Sequence, residues 1–212
     1  MKYEIVGAPA YSMLKVSLNT GERIAGEAGA MMAIEGNVKA ETKGRGLFKA
    51  IAGGEALFLN YYTAEADDAV IWLAPPLPGD IQHIELKGEG VIVNDKCYLA
   101  HYGDLQQKVT WRGLKGVFGG GGLAWLKVSG NGSLWVNSNG CIIEQPVKPG
   151  QQMTIDNVHL VAMDETLEYK IRKFGGLKTM MFGGEGFVFD VKGEGRIYLQ
   201  TRNPSIYYQK RK

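Results

Sequence analysis

One pattern recurs three times along the chain and restricts its fold more than any other feature. Gly46–Leu59, Gly113–Trp125 and Gly176–Phe189 each carry Gly-Leu, a basic residue among apolar ones, a glycine pair, two small or acidic residues and an apolar strand. The glycine pairs begin at positions 53, 119 and 183, steps of 66 and 64 residues. A second marker keeps nearly the same period: Pro78-Gly79 recurs as Pro149-Gly150, with Thr20-Gly21 as a degraded first copy. Each precedes a strand ending in isoleucine, at Ile24, Ile84 and Ile155. Between the markers lie the short polar turns Ile34–Val38, Tyr102–Leu105 and Asp164–Leu167. Self-similarity at a fixed period is the signature of a repeat architecture. It predicts a single compact domain of three tandem units, approximately 1–74, 75–144 and 145–212.

Each unit reads as strand. Leu167, Tyr169 and Ile171 alternate with Glu168, Lys170 and Arg172, the two-residue period of a half-buried strand. Phe187, Phe189 and Val191 alternate in the same way. The chain is then expected to turn at Lys192–Gly195 and return through Arg196–Gln200. The second unit predicts a matching hairpin with its turn at Gly130-Asn-Gly132, residues that tolerate the backbone of tight turns. Glycine and proline break almost every stretch long enough for a multi-turn helix. The class is therefore all-β.

One such unit alone buries too little apolar surface to be stable, whereas packed copies cover one another's faces. The expected architecture is three tandem β-sandwich-like repeats in a pseudo-threefold arrangement, a three-sided β prism. A linear row of three small sandwiches is the alternative.

Composition narrows the function classes. Hydrophobic residues at 45% and charged residues at 22% describe a packed protein rather than a disordered one. A net charge of +2 does not make the whole surface a nucleic-acid platform, so nucleic acid is not an expected partner. No apolar run reaches the length of a membrane span, and the start lacks the pattern of a signal or transit peptide. Cys97 and Cys141 read as free thiols of a reducing compartment, and a cytoplasmic location is expected.

The residues also argue against catalysis. His83, His101 and His159 show no metal-ligand spacing, and there is no paired-cysteine motif, so no metal is expected. No Gly-x-Ser-x-Gly nucleophile elbow occurs. The glycine runs Phe118–Gly122 and Phe182–Gly186 precede strands, whereas a phosphate cradle must open a helix. No catalytic or cofactor-binding residue is assigned, and an uncharacterised hydrolase is the remaining enzymatic reading.

One feature does point to recognition. Ahead of each glycine pair, basic and large apolar residues are mixed. They are Lys43, Arg45, Phe48 and Lys49 in the first unit, and Arg112, Lys115 and Phe118 in the second. The third contributes Lys173, Phe174, Lys178, Met180, Met181 and Phe182. Units closed into a ring would bring these segments to one face, suited to an anionic membrane surface, a protein partner or self-association.

The Gly-Gly-Glu-Gly element followed by alternating aromatics, the Pro-Gly before a strand, and the segment Phe174–Phe182 resemble the mitochondrial-biogenesis AIM-type family. The resemblance spans roughly Tyr3 to Ser205 and is most specific over Phe174–Phe189. It implies a fold similar to the tryptophan-RNA-binding attenuation protein, repeated three times in one chain. It brings no established catalytic activity, cofactor or substrate, and no functional residues to carry over. The expected function is thus a non-enzymatic scaffold or binding protein docking through the three basic-apolar segments. The alternative is a small-ligand or nucleic-acid binder using clefts between repeats, with Trp72, Trp111, Trp125 and Trp135 as stacking surfaces.

Overall fold

A computed structural model describes residues 1–44, 58–112, 124–175 and 187–204, with the side chains of 111 and 112 outside that description. The chain starts with seven short strands: β1 (Lys2–Val6), β2 (Met13–Leu18), β3 (Arg23–Glu27), β4 (Met31–Glu35), β5 (Val38–Gly44), β6 (Phe58–Ala64) and β7 (Ala69–Leu73). Three long strands follow, β8 (Ile81–Asn94), β9 (Tyr98–Arg112) and β10 (Ala124–Asn137), with a 3-10 turn at Asp95–Cys97. The remainder is β11 (Ile142–Val147), β12 (Gln152–Asp156), β13 (Leu160–Asp164), β14 (Glu168–Lys173), β15 (Phe187–Lys192) and β16 (Gly195–Gln200). The protein is all-β, as the alternating residues require.

Burial follows that alternation. In β2, Leu14, Val16 and Leu18 are buried while Met13, Lys15 and Ser17 are only half-covered. In β8 the run Val91–Asn94 is buried on both faces, because strands flank it and its alternate residues enter two core clusters, Val91 and Val93 one and Ile92 the other. Among the described residues the strands form three sheets, ordered β1-β2-β7-β4, β11-β16-β13-β8-β10-β9-β3-β6-β5, and β12-β15-β14. None closes on itself.

Among the described residues the paired strands run antiparallel. β7 lies between β2 and β4, and β16 between β11 and β13. β6 lies between β3 and β5, and β15 between β12 and β14. In the middle of the chain, β10 performs both tasks with its two halves, pairing along its whole length with β8 and β9. Two further ladders join these groups: Ala25 of β3 faces His101 of β9, and Met163 of β13 faces Ile92 of β8.

Two local expectations are corrected. Gly130-Asn-Gly132 does not make a hairpin; it bends a continuous strand. Gly130 and Gly132 have φ of 124° and 152°, and a β-carbon on either would stand 2.2 Å from a backbone oxygen of β9. Glycine is needed for close approach of strands, not for chain reversal. Similarly, the corners β6/β7 and β15/β16 carry the chain from one sheet to another, since the two strands of each belong to different sheets.

The second correction concerns Pro78-Gly79. It introduces the first half of β8, which pairs with the second half of β10 just as β2 pairs with β7. Thr20-Gly21 and Pro149-Gly150 instead introduce β3 and β12, which pair with β6 and β15. Gly88 occupies their place in the middle of the chain. Gly21, Gly88 and Gly150 share φ values of 82°, 105° and 80° with open space at the missing side chain. These three glycines share a conformation and not a Pro-Gly dipeptide.

The core is divided among three clusters. The central one gathers Val91, Val93, Tyr98, Leu126 and Val136 with Ala162. A second packs Leu14, Ile71 and Leu73 against Trp135, and a third packs Trp125 against Phe189 and Met163. Trp125 and Phe189 meet with ring centroids 4.8 Å apart.

Candidate functional site

The three basic-apolar segments leave the sheets at the open ends of three antiparallel pairs. Gly44 faces Phe58 at the end of β5 and β6, Arg112 faces Ala124 at the end of β9 and β10, and Lys173 faces Phe187 at the end of β14 and β15. Arg45, Phe48, Lys49, Lys115, Phe118, Lys178, Met180, Met181 and Phe182 lie outside the described residues, as does the side chain of Arg112.

The first of these ends is the best defined. Glu41 is surrounded by three cations: Lys39 at 3.1 Å, Lys43 at 3.4 Å and Arg23 at 3.6 Å. The hydrogen bond and charge of Lys39, then Lys43, hold the Glu41 carboxyl below its ordinary pKa. One carboxylate against three cations leaves the patch basic. Arg23 also lies over the Tyr61 ring at 4.1 Å, and Phe58 stands nearby, 46% exposed. At the third end, Arg172 grips Asp190 through contacts of 2.5 and 3.0 Å, and Asp190 is held below its usual range by that pair and by Thr154. Lys170 and Lys173 flank the pair, both exposed on β14.

Potential chemical groups elsewhere are used structurally. The buried His101 Nδ1 shares a 2.5 Å hydrogen bond with the Tyr98 hydroxyl and a 3.1 Å one with Gln107. His83 packs in a three-ring cluster with Tyr3 and Trp135, and burial lowers its pKa against the opposing pull of Glu85. His159 lies in the turn before β13, not in a strand, with Nδ1 2.8 Å from the Gln200 carbonyl. Burial, with Asp95 adding, pushes the Cys97 thiol far above its ordinary pKa, which leaves it unsuited to nucleophilic attack. Among the described residues, no group of three His, Cys, Asp or Glu side chains is placed to hold a metal ion.

Three of the four tryptophans are unsuited to stacking on a ligand, and the side chain of Trp111 lies outside the described residues. Trp125 and Trp135 are buried, and Trp72 is half-buried beneath the Lys15 ammonium, 4.9 Å from its ring. The sequence reading also missed an exposed apolar strand. Ile34–Val38 is expected there as a polar turn, yet its first two residues belong to β4, which displays Met31, Met32 and Ile34 on an outer edge. The run Met31-Met-Ala-Ile34 is apolar in sequence, but nothing local says that no neighbour covers it.

Comparison with known proteins gives a single consistent result. The family model described as mitochondrial biogenesis AIM24 matches residues 3–202. An uncharacterised protein of Streptococcus pyogenes serotype M6 is 32% identical over 216 residues, covering 96% of this chain and 86% of its own length. A crystal structure of a Streptococcus pyogenes protein superposes with a TM-score of 0.80 at 30% identity, covering 97% of this chain and 95% of that one.

Proposed function

We propose that this chain, which belongs to the mitochondrial biogenesis AIM24 family, is a non-enzymatic scaffold built from a triplicated β unit. It docks an anionic surface through its three basic-apolar segments. The pairing scheme supports the triplication: a β7-type strand between β2- and β4-type strands, and a β6-type strand between β3- and β5-type strands, account for every third of the chain. The pairing of β11 with β16 supports drawing the third unit from β11, a few residues ahead of the expected start at 145. A closed prism would pair β12 with β4. Both are outer strands among the described residues, which favours the open row of three units.

The observation that carries the docking reading is the first segment's root. There the single Glu41 is outnumbered by Arg23, Lys39 and Lys43, beside an exposed Phe58. Apolar groups that insert and cations that meet lipid headgroups are the two components of reversible binding to an anionic membrane. No described helix is long and apolar enough to cross a bilayer, so attachment would come from the surface. A cytoplasmic location belongs to the same proposal.

Flotation with phosphatidylserine vesicles at low salt tests it. Binding should weaken at high salt and on neutral phosphatidylcholine, and Lys43→Glu with Lys173→Glu should abolish it. No binding at low salt ends the membrane reading. Capture of a protein from lysate that depends on Phe174–Phe182 would then identify a protein partner instead.

A further inference from the structure

Met32 is the extra residue of a β-bulge, and two other residues stand in the same place with different surroundings. β4 slips register against β7 between Met31 and Ala33, β9 against β10 between Tyr98 and Ala100, and β13 against β16 between Leu160 and Ala162. The alanine after each bulge faces a large ring: Ala33 faces Trp72, Ala100 faces Trp135, and Ala162 faces Tyr198. The looped-out residues are Met32, Leu99 and Val161, exposed by 59%, 1% and 0%.

The difference has a visible cause. β9 is covered by β3, with Gly26 opposite Ala100, and β13 is covered by β8, with Val93 opposite Ala162. β4 is the outer strand of its sheet, with no strand beyond it among the described residues. At the other end of the row, β12 is likewise an outer strand. It pairs with β15 as β3 pairs with β6, and among the described residues has no strand on its second side. The chain thus ends in the two halves of a joint that it makes twice internally. An uncovered apolar edge is a template for strand addition.

We propose that a second copy of this chain supplies the missing strand, the β12 edge of one molecule pairing antiparallel with the β4 edge of the next. Continuity with the two internal joints carries the proposal and sets its register. Gly26 and Val93 face Asn60 and Leu126, each seven residues past the first glycine of its pair. Asp190 holds that place in the third unit and faces Thr154, so Thr154 lies opposite Ala33 of the neighbouring copy. The contact joins unlike surfaces, so copies add head to tail into a ring or an open filament. The proposal rests on the triplicated-unit reading and is independent of docking by the loops.

Sedimentation of the full chain over a range of concentrations tests it, alongside Met32→Lys and Thr154→Lys. Both sites are exposed in the single chain, and circular dichroism checks that the variants remain folded. The wild type should form species larger than one chain. Each variant alone should be monomeric, because each has lost one half of the joint. Mixed together, they should form a one-to-one dimer, since one retains β12 and the other β4. A wild type that stays monomeric at every concentration overturns the proposal. So does Thr154→Lys that assembles like wild type while Met32→Lys does not, the mark of a β4-to-β4 contact. Amide exchange at residues 24–26, 91–93, 100–102 and 162–164 separates the two readings. Protection there with a monomeric wild type removes only the assembly; rapid exchange there removes the triplicated unit itself.

Discussion

The carbonyl oxygen of Ser138 lies so close to Gly79 that a β-carbon on the glycine would stand 1.7 Å from it. The two strands of backbone are held together by the Gly79–Gly140 bridge, where the Gly140 N–H donates to the Pro78 carbonyl at 3.2 Å and the Asp80 N–H to the Gly140 carbonyl at 3.0 Å. Backbone cannot swing aside as a side-chain tip can. Gly79→Ala is therefore expected to cost about 2–4 kcal/mol, through overpacking and a broken bridge. Gly21→Ala meets no atom within 4 Å and bears only the strain of its φ of 82°. It should cost about 1 kcal/mol. Urea unfolding of both variants checks the ranking, and an equal loss would contradict it.

Leu99 and Met32 each stand in a bulge, one buried in a strand flanked by β3 and one open on an outer strand. Leu99→Ala should lose about 2–5 kcal/mol from its missing contacts and the cavity left behind. Met32→Ala, measured at dilution where single chains prevail, should stay within about 0.5 kcal/mol of the parent. Similar losses at the two positions would mean that β4 is covered in the isolated chain.

Lys127 and Glu165 pair at 2.9 Å across the joint between β10 and the turn after β13, both about one-third exposed. Water screens such a pair, so a double-mutant cycle with Lys127→Met and Glu165→Gln should return only about 0.2–1 kcal/mol, falling as salt rises. The backbone bond beneath it, from the Glu165 N–H to the Gly90 carbonyl at 3.0 Å, should persist in both variants.

Tyr198 gives a pH dependence. Burial pushes its phenol up to about 12, opposed by Arg196 and reinforced by Glu144 and Asp164. Because the folded pKa lies above the unfolded value near 10, this contribution is complete below pH 10 and is lost as pH rises toward 12. The loss amounts to about 2 kcal/mol when the shift is complete. Chemical unfolding across that window should show a steeper decline for the parent than for Tyr198→Phe. Parallel curves would place the Tyr198 hydroxyl in contact with solvent.

Much of the fold was legible. Leu14, Val16 and Leu18 advertise a one-sided strand by alternation alone, and the three glycine pairs mark the start of β6, β10 and β15. Gly130-Asn-Gly132 misled because a positive φ serves a bend between closely packed strands as readily as a hairpin. Pro78-Gly79 misled because its glycine is required by the Ser138 backbone, a contact 59 residues away, and not by the conformation that Gly21 and Gly150 share. For the candidate site, the composition of the three segments could be read directly. Glu41 at the centre of Arg23, Lys39 and Lys43 could not, because Arg23 reaches it only through the β3–β6–β5 pairing.

The sequence by itself determined that the chain is β, that glycine punctuates it at a regular period, and that basic and apolar residues are interleaved before each glycine pair. These are properties of neighbours along the chain, set by two-residue alternation and local backbone freedom. Only the tertiary structure decided that Leu99 and Val161 are buried while Met32 is open. Burial depends on which strand lies beyond an edge, and that pairing joins residues such as Gly26 and Ala100 that are far apart in the sequence.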